Sequence, residues 1–298
     1  MDLADQSQPI RPDEGFDESA LEAFLKDCLP NLSGRLTVHQ FPSGFSNLTY
    51  HLRFGDREFV MRRPPFGTKA KSAHDMKREY TILKALKPFY PYCPEPLAYT
   101  DDPSILGCPF YVMERLRGII LRKNLPAGLT FTPREMQQLC ETLLDVLVEL
   151  HQIDYDKAGL GELGHPQGYV RRQVEGWSKR YRDARTEDAP DFEAVMGWLA
   201  AEMPSDTSSP TIIHKDYRFD NVVLDEAAPQ KIIGVLDWEM ATVGDPLMDL
   251  GNTLAYWVQA DDPEESQLMR LMPTHLEGAL TRRQLVQRYM AKTGRTAD

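Results

Sequence analysis

Cysteine is scarce and unpatterned in this chain. Cys28, Cys93, Cys108 and Cys140 form no Cys-x-x-Cys pair and have no histidine at zinc-ligand spacing. A structural zinc site or a disulfide framework is therefore not expected, and the four read as reduced, mostly buried thiols of a cytoplasmic protein. No apolar run approaches the roughly 20 residues that a membrane-spanning helix needs. The opening stretch MDLADQSQPIRPDEGFDES is acidic and lacks an apolar core, so it reads as neither a signal nor a transit peptide. Positive charge is in deficit as well. With 45 Asp and Glu against 34 Lys and Arg, the formal net charge is −11, which disfavours partners that demand a basic face, nucleic acid and the membrane surface among them. Internal repeats and low-complexity tracts are also missing. What remains is a 298-residue chain of ordinary hydrophobic content, long enough for one large domain or two lobes with separate cores.

What is present changes period along the chain. Residues 17–29 read as a short helix, with Leu21, Phe24, Leu25 and Cys28 at helical spacing. Leu48, Tyr50, Leu52 and Phe54 then alternate with more polar residues, the mark of a half-buried strand. Gly55-Asp56 suits a tight II′ turn, and residues 57–63 form the return strand, stopped by Pro64-Pro65. A helix over 75–86, an extended stretch bounded by Pro94 and Pro96, and a strand over 109–113 follow. Thr132-Pro133-Arg134-Glu135 is a capping box that opens a helix carrying Leu139, Leu143, Val146, Leu147 and Leu150. A further helix is expected over 191–203. Short apolar runs come at 212–213, 222–224 and 232–236, and Asp245-Pro246 opens another helix. The organisation read from this is a polar segment and helix over 1–34, a small β-rich lobe over 35–113, a hinge at 114–118 and a larger helical lobe over 119–298.

The densest chemistry lies in His214-Lys-Asp-Tyr-Arg-Phe-Asp-Asn221 and Asp237-Trp-Glu239, each placed directly after an apolar run. Asp216 and Asn221 are five residues apart on one loop, and Asp237 comes from the next hairpin. Phosphoryl transfer needs such a set: one carboxylate to accept a hydroxyl proton, and hard oxygen ligands to hold a divalent cation against phosphates. The pattern His-x-Asp-x₄-Asn, about 15 residues and then Asp-Trp-Glu, with Gly244-Asp-Pro-Leu-Met-Asp-Leu250 after it, resembles the aminoglycoside phosphotransferase and choline kinase family. The resemblance runs from about Gln40 to about Tyr289. It implies an α+β, two-lobed protein-kinase-like fold with ATP and Mg²⁺ in the cleft. Asp216 is then the catalytic base, His214 orients its loop, Asn221 and Asp237 are the metal ligands, and Asp249 anchors the loop's backbone. Gly44, Ser46 and Asn47 fall where that family covers the phosphates, Glu79 is the acidic partner of a strand cation, and Glu114 to Leu116 form the adenine-binding hinge. One departure stands out. The family's phosphate-pairing Lys is replaced by Arg62, a longer and planar cation, so the exchange is not conservative.

Only seven residues separate Asp237 from Asp245, too few for the long segment on which protein kinases dock peptides, so a small-molecule hydroxyl is the expected acceptor. Between Tyr169 and Arg185 six basic residues oppose two acidic ones. The plainest reading of this stretch is the wet face of a helix. If it lines the pocket, it attracts an anionic substrate and repels a polycationic aminoglycoside. Tyr169, Arg172, Trp177 and Arg218 are the candidate acceptor contacts. The wording Gly168-Tyr169, Arg172-Gln173-Val174 and Trp177 is similar to a subgroup found alone in bacteria and fused to acyl-CoA dehydrogenases in eukaryotes, which points to a hydroxyacyl-CoA or hydroxy acid. Two alternatives stay open: an aminoglycoside-modifying kinase, and a non-catalytic nucleotide-binding scaffold. The second is suggested by Arg62 and by the further helices with which similar proteins continue past the point where this sequence stops.

Overall fold

The computed structural model describes residues 3–42, 46–67 and 74–296. After a single 3₁₀ turn at Pro12–Glu14, the elements are α1 (Glu18–Cys28), β1 (Leu36–Gln40), β2 (Leu48–Phe54), β3 (Arg57–Arg63), α2 (Met76–Leu86), β4 (Pro96–Thr100), α3 (Pro103–Leu106) and β5 (Phe110–Glu114). They are followed by α4 (Pro133–His151), α5 (Tyr169–Ala184), α6 (Glu193–Ala201), β6 (Thr211–Ile213), β7 (Val222–Leu224), β8 (Ile232–Val235), β9 (Thr242–Gly244), α7 (Pro246–Ala255), α8 (Glu264–Met269) and α9 (Arg282–Thr293).

The first five strands form one antiparallel sheet in the order β1-β2-β3-β5-β4. The β2–β3 hairpin closes at Gly55, whose φ of +59° is the conformation that a II′ turn requires at that position. Pro64 then ends β3 because it has no N–H to give the ladder. Strand alternation sends Phe59 and Met61 to the face covered by α1, where Leu21, Leu25, Phe54 and Phe110 complete one core. Val60 points to the opposite face and joins the larger core of α2, α4, β6–β8, α7 and α9. Arg62, two residues on, shares the face of Val60 and so looks toward the helical lobe.

Helix ends follow the sequence signals closely. Asp17 and Asp75 cap α1 and α2 through main-chain N–H groups, and Thr132 and Glu135 form the complete capping box of α4. The inner face of α2 is formed by Met76, Glu79, Ile82, Leu83 and Leu86. The chain crosses between lobes beside Gly118, where a Cβ atom would lie 2.2 Å from the carbonyl oxygen of Leu224. Ile119 and Leu224 exchange main-chain hydrogen bonds of 2.9 and 2.8 Å, fastening the crossing to β7. Three of the four thiols are buried; Cys28 is exposed, and all four are free.

Candidate functional site

The loop after β6 is built around one buried carboxylate. Asp249, in the first turn of α7, accepts hydrogen bonds from the main-chain N–H of His214 (2.8 Å) and of Lys215 (2.6 Å). It is also bonded by His151 Nε2 at 3.1 Å, and Tyr289 of α9 meets the other ring nitrogen of His151 at 2.8 Å. Burial pushes the Asp249 carboxyl up, but the hydrogen bonds from His151 and the His214 N–H more than offset it and hold the carboxyl below its usual range. Lys215 is thereby kept at φ +69°, a left-handed conformation that a lysine adopts only when its surroundings hold it there. Asn252 and Thr253 of α7 donate to the carbonyls of Lys215 and Tyr217.

The His214 ring is fixed in one tautomer. Nε2–H donates to the Leu236 carbonyl (2.9 Å), and Nδ1 accepts from the Asp216 N–H (3.2 Å). Asn221 Nδ2 donates to both the main-chain and the Oδ2 oxygens of Asp216, at 2.8 Å each. Two oxygen partners settle which way this amide points. Arg218 Nη2 also donates to Asp216 Oδ2 (3.1 Å). Leu236 N–H donates to the Asn221 carbonyl (2.8 Å), which sets Asp237 beside the loop. Asp237 itself is at φ +65°. Among the described residues, Asp216 Oδ1, Asn221 Oδ1 and Asp237 Oδ2 accept no hydrogen bond.

From the sheet side, buried Arg62 donates through Nη1 to Glu79 and to Asp237 Oδ1 (3.0 Å), and its Nη2 lies 3.5 Å from Glu239 Oε2. Burial pushes the Glu79 carboxyl up to about 7 against the opposing pull of Arg62. Glu239 is raised by burial and by Asp237, with Arg62 and the Ser46 hydroxyl pulling the other way. Asn47 Nδ2 donates to Glu239 (2.6 Å), its Oδ1 meets His74 Nδ1 (2.8 Å), and Arg78 donates to the Glu239 carbonyl (2.9 Å). Ser46, Asn47, Arg62, Glu79, Asp237 and Glu239 thus form one network across the two lobes.

Gly44 lies outside the described residues. Glu114 ends β5, where its carboxylate accepts from Lys87 (2.8 Å) and from the Glu95 N–H (2.7 Å). Leu116 packs its side chain over Gly234, where a Cβ would stand 2.3 Å from it. Tyr169 is buried at the start of α5 against Gly244. Arg172, Trp177, Lys179, Arg180, Lys215 and Met240 line an open cavity of about 730 Å³. A neighbouring cavity of about 360 Å³ shares Arg172, Lys215 and Met240 with it and reaches Arg78 and Glu239. Burial lowers the Lys215 ammonium from its ordinary value, with Asp249 opposing. Arg218 stands apart from α5, its guanidinium 4.5 Å above the Tyr256 ring.

Sequence reasoning missed the roles of His151, Tyr289 and Arg78. A histidine on the apolar stripe of α4 was the signal for the first, because a buried imidazole needs a partner. Nothing local marks the other two.

Among the described residues, no three His, Cys, Asp or Glu groups converge as an all-protein metal cage. The hard oxygens of Asn221 and Asp237 instead fit Mg²⁺, which is commonly held by one or two side chains together with phosphate oxygens.

Residues 37–270 match the model of the phosphotransferase enzyme family (APH). The chain is 36% identical over 261 residues to acyl-CoA dehydrogenase family member 10 of Mus musculus, covering 86% of this chain and 24% of that protein. It is 36% identical over 253 residues to acyl-CoA dehydrogenase family member 11 of Gallus gallus, covering 83% and 32%. The chain therefore spans between a quarter and a third of the length of these curated relatives. Among solved structures, a Ralstonia eutropha protein provisionally named an aminoglycoside phosphotransferase superposes with a TM-score of 0.78 at 31% identity, covering 95% of this chain and 82% of that one.

Proposed function

Because the chain belongs to the phosphotransferase enzyme family, we propose that it transfers the γ-phosphoryl group of ATP to a hydroxyl of a small anionic metabolite. The observation that carries this reading is the bonded series from Asp216 through Asn221 and Leu236 to Asp237 and Arg62. It unites a candidate base, two metal-ligand oxygens and a buried cation at the junction of the lobes.

The acceptor hydroxyl gives its proton to Asp216 as its oxygen bonds the γ-phosphorus. The bond from that phosphorus to the bridging oxygen breaks, and ADP leaves with the electron pair. Asn221 and Asp237 hold Mg²⁺, which offsets the phosphate charge when bound. Ser46 and Asn47 cover the phosphates, Arg62 adds positive charge beside them, and the main chain of Glu114 to Leu116 receives the adenine. His214 and Asp249 keep the loop in place.

The two cavities beside α5 supply the acceptor side. Their cations favour carboxylate or phosphate groups over polycationic aminoglycosides. A hydroxyacyl-CoA or free hydroxy acid fits this demand, and the names of the two relatives agree with acyl-CoA chemistry. One observation favours a second reading. Arg62 occupies an oxygen of Asp237, an arrangement that also suits a nucleotide-binding scaffold without turnover.

ADP release is the test, measured with hydroxyacyl-CoA compounds, free hydroxy acids and kanamycin for wild type and Asp216→Ala. Turnover with an anionic acceptor, reduced about 10²–10⁴-fold in Asp216→Ala, supports the proposal. Faster turnover of kanamycin removes the anionic acceptor. Nucleotide binding without turnover on any acceptor leaves the scaffold reading.

A further inference from the structure

We propose that Arg218 is a catalytic residue that neutralises charge on the phosphoryl group while it is in transfer, an inference that rests on the phosphotransfer reading above. Among the described residues, Arg218 is the one whose cationic group pairs with Asp216, its Nη2 lying 3.1 Å from Oδ2. The other carboxylate oxygen is left to receive the acceptor proton. A hydroxyl that donates to Asp216 sits about 2.6–3.2 Å from it. The phosphorus it attacks, and the oxygens around that phosphorus, then come within reach of a guanidinium on the same carboxylate.

The side chain is built in rather than draped on the surface. It is 14% exposed, has its guanidinium carbon 4.5 Å from the centre of the Tyr256 ring, and has Nε 3.3 Å from Asp220 Oδ1. That approach is too poorly aligned for a hydrogen bond, so both Nε and Asp220 Oδ1 are buried without a hydrogen-bond partner. Nη1 makes no hydrogen bond among the described residues. A planar fork fixed on three sides, with one donor in use and another in hand, suits phosphate oxygens better than a flexible ammonium would.

Electrostatics asks for such a cation. Asp216 and Asp220 place two carboxylates at the point where a multiply anionic group must arrive. Without Arg218 these two carboxylates face the incoming phosphoryl without the cation paired to them. Interactions that strengthen as charge spreads over the equatorial oxygens lower the barrier, whereas those equal in ground and transition states do not.

The rival role is mere orientation of Asp216, and the two separate in binding experiments. Affinity for Mg·ATP, and for Mg·ADP with aluminium fluoride as a planar phosphoryl mimic, is measured by calorimetry for wild type, Arg218→Met and Arg218→Lys. The expected result is Mg·ATP affinity within about twofold of wild type in both variants. Affinity for the mimic falls about tenfold or more in Arg218→Met and less in Arg218→Lys. Unchanged affinity for the mimic overturns the proposal and leaves Arg218 a positioning residue. An equal loss of both affinities assigns Arg218 to the fold and overturns it too. Failure of wild type to bind Mg·ATP at all removes the phosphotransfer reading itself, and this inference with it.

Discussion

At the scale of single residues, Asp249 carries a disproportionate share of the site. Its two oxygens take the N–H groups of His214 and Lys215 and the ring of His151, so one carboxylate ties α4 and α7 to the loop. Asp249→Ala leaves three buried donors without an acceptor, and at about 1–3 kcal/mol each the loss is large. Urea denaturation is expected to show at least about 3 kcal/mol of destabilisation; a loss under about 1 kcal/mol contradicts this view of the loop. Arg62 is a second such residue. Removing it strands the buried Glu79 carboxylate, so Arg62→Met is expected to destabilise by about 3–5 kcal/mol, read from the same denaturation curves. The presence of these residue types was legible in the sequence, because an acid at the start of a helix and a cation late in a strand are local facts. Their partners were not. Tyr289 meets His151 across 138 positions and Asn47 meets Glu239 across 192, and no periodicity records contacts of that span.

Elements were easier to read than contacts. The β2–β3 hairpin, α1 and α4 announce themselves through alternation, a II′ turn glycine and capping residues. β1 was not identified, since in Leu36–Gln40 only Leu36 and Gln40 are buried and no alternation shows. Its place is set by pairing with β2 and by the N-terminal segment, which bridges Gln8 to Gln40 and ties Asp5 N–H to the Gly118 carbonyl at 3.0 Å. His51 of β2 is the polar centre of this strap. Arg115 donates to its Nε2 (3.0 Å), so Nδ1–H faces Ser7 Oγ (2.9 Å) and the ring is neutral. Burial, and then the charge of Arg115, lower its pKa to about 4, with Glu58 opposing. The unfolded imidazole titrates near about 6.5. Stability from this group is complete above that pH and is lost progressively as pH falls toward 4. Thermal unfolding across pH 4–7 is expected to show a slope in this window that flattens in His51→Gln. An unchanged slope assigns the acid sensitivity to other groups.

For the molecule as a whole, charge is unevenly spread. A chain of net charge −11 gathers Arg172, Lys179, Arg180 and Lys215 around one cavity next to the Asp216 loop. The bland reading of α5 as a wet helix face holds for most of its length, because only Tyr169 and Val170 are buried there. Topology turns one side of it toward the loop, and sequence periodicity cannot say which neighbour a wet face meets. In the double variant Lys179→Glu, Arg180→Glu, the KM for an anionic acceptor is expected to rise at least about tenfold with kcat little changed. The wild-type KM should itself rise with added salt, since exposed charges are screened over about 8 Å at physiological ionic strength. Equal KM values in variant and wild type would place the acceptor elsewhere.

The most direct measurement is thermal unfolding with and without Mg²⁺ and ATP, for wild type and Asp237→Ala in parallel. A ligand that binds only the folded chain adds about 2.7 kcal/mol at 100 times its Kd, an easily seen shift. The expected result is a Mg²⁺-dependent rise in Tm for wild type that disappears in Asp237→Ala. No rise in wild type at millimolar nucleotide, or an equal rise in both proteins, would contradict a phosphotransfer site built on Asp237.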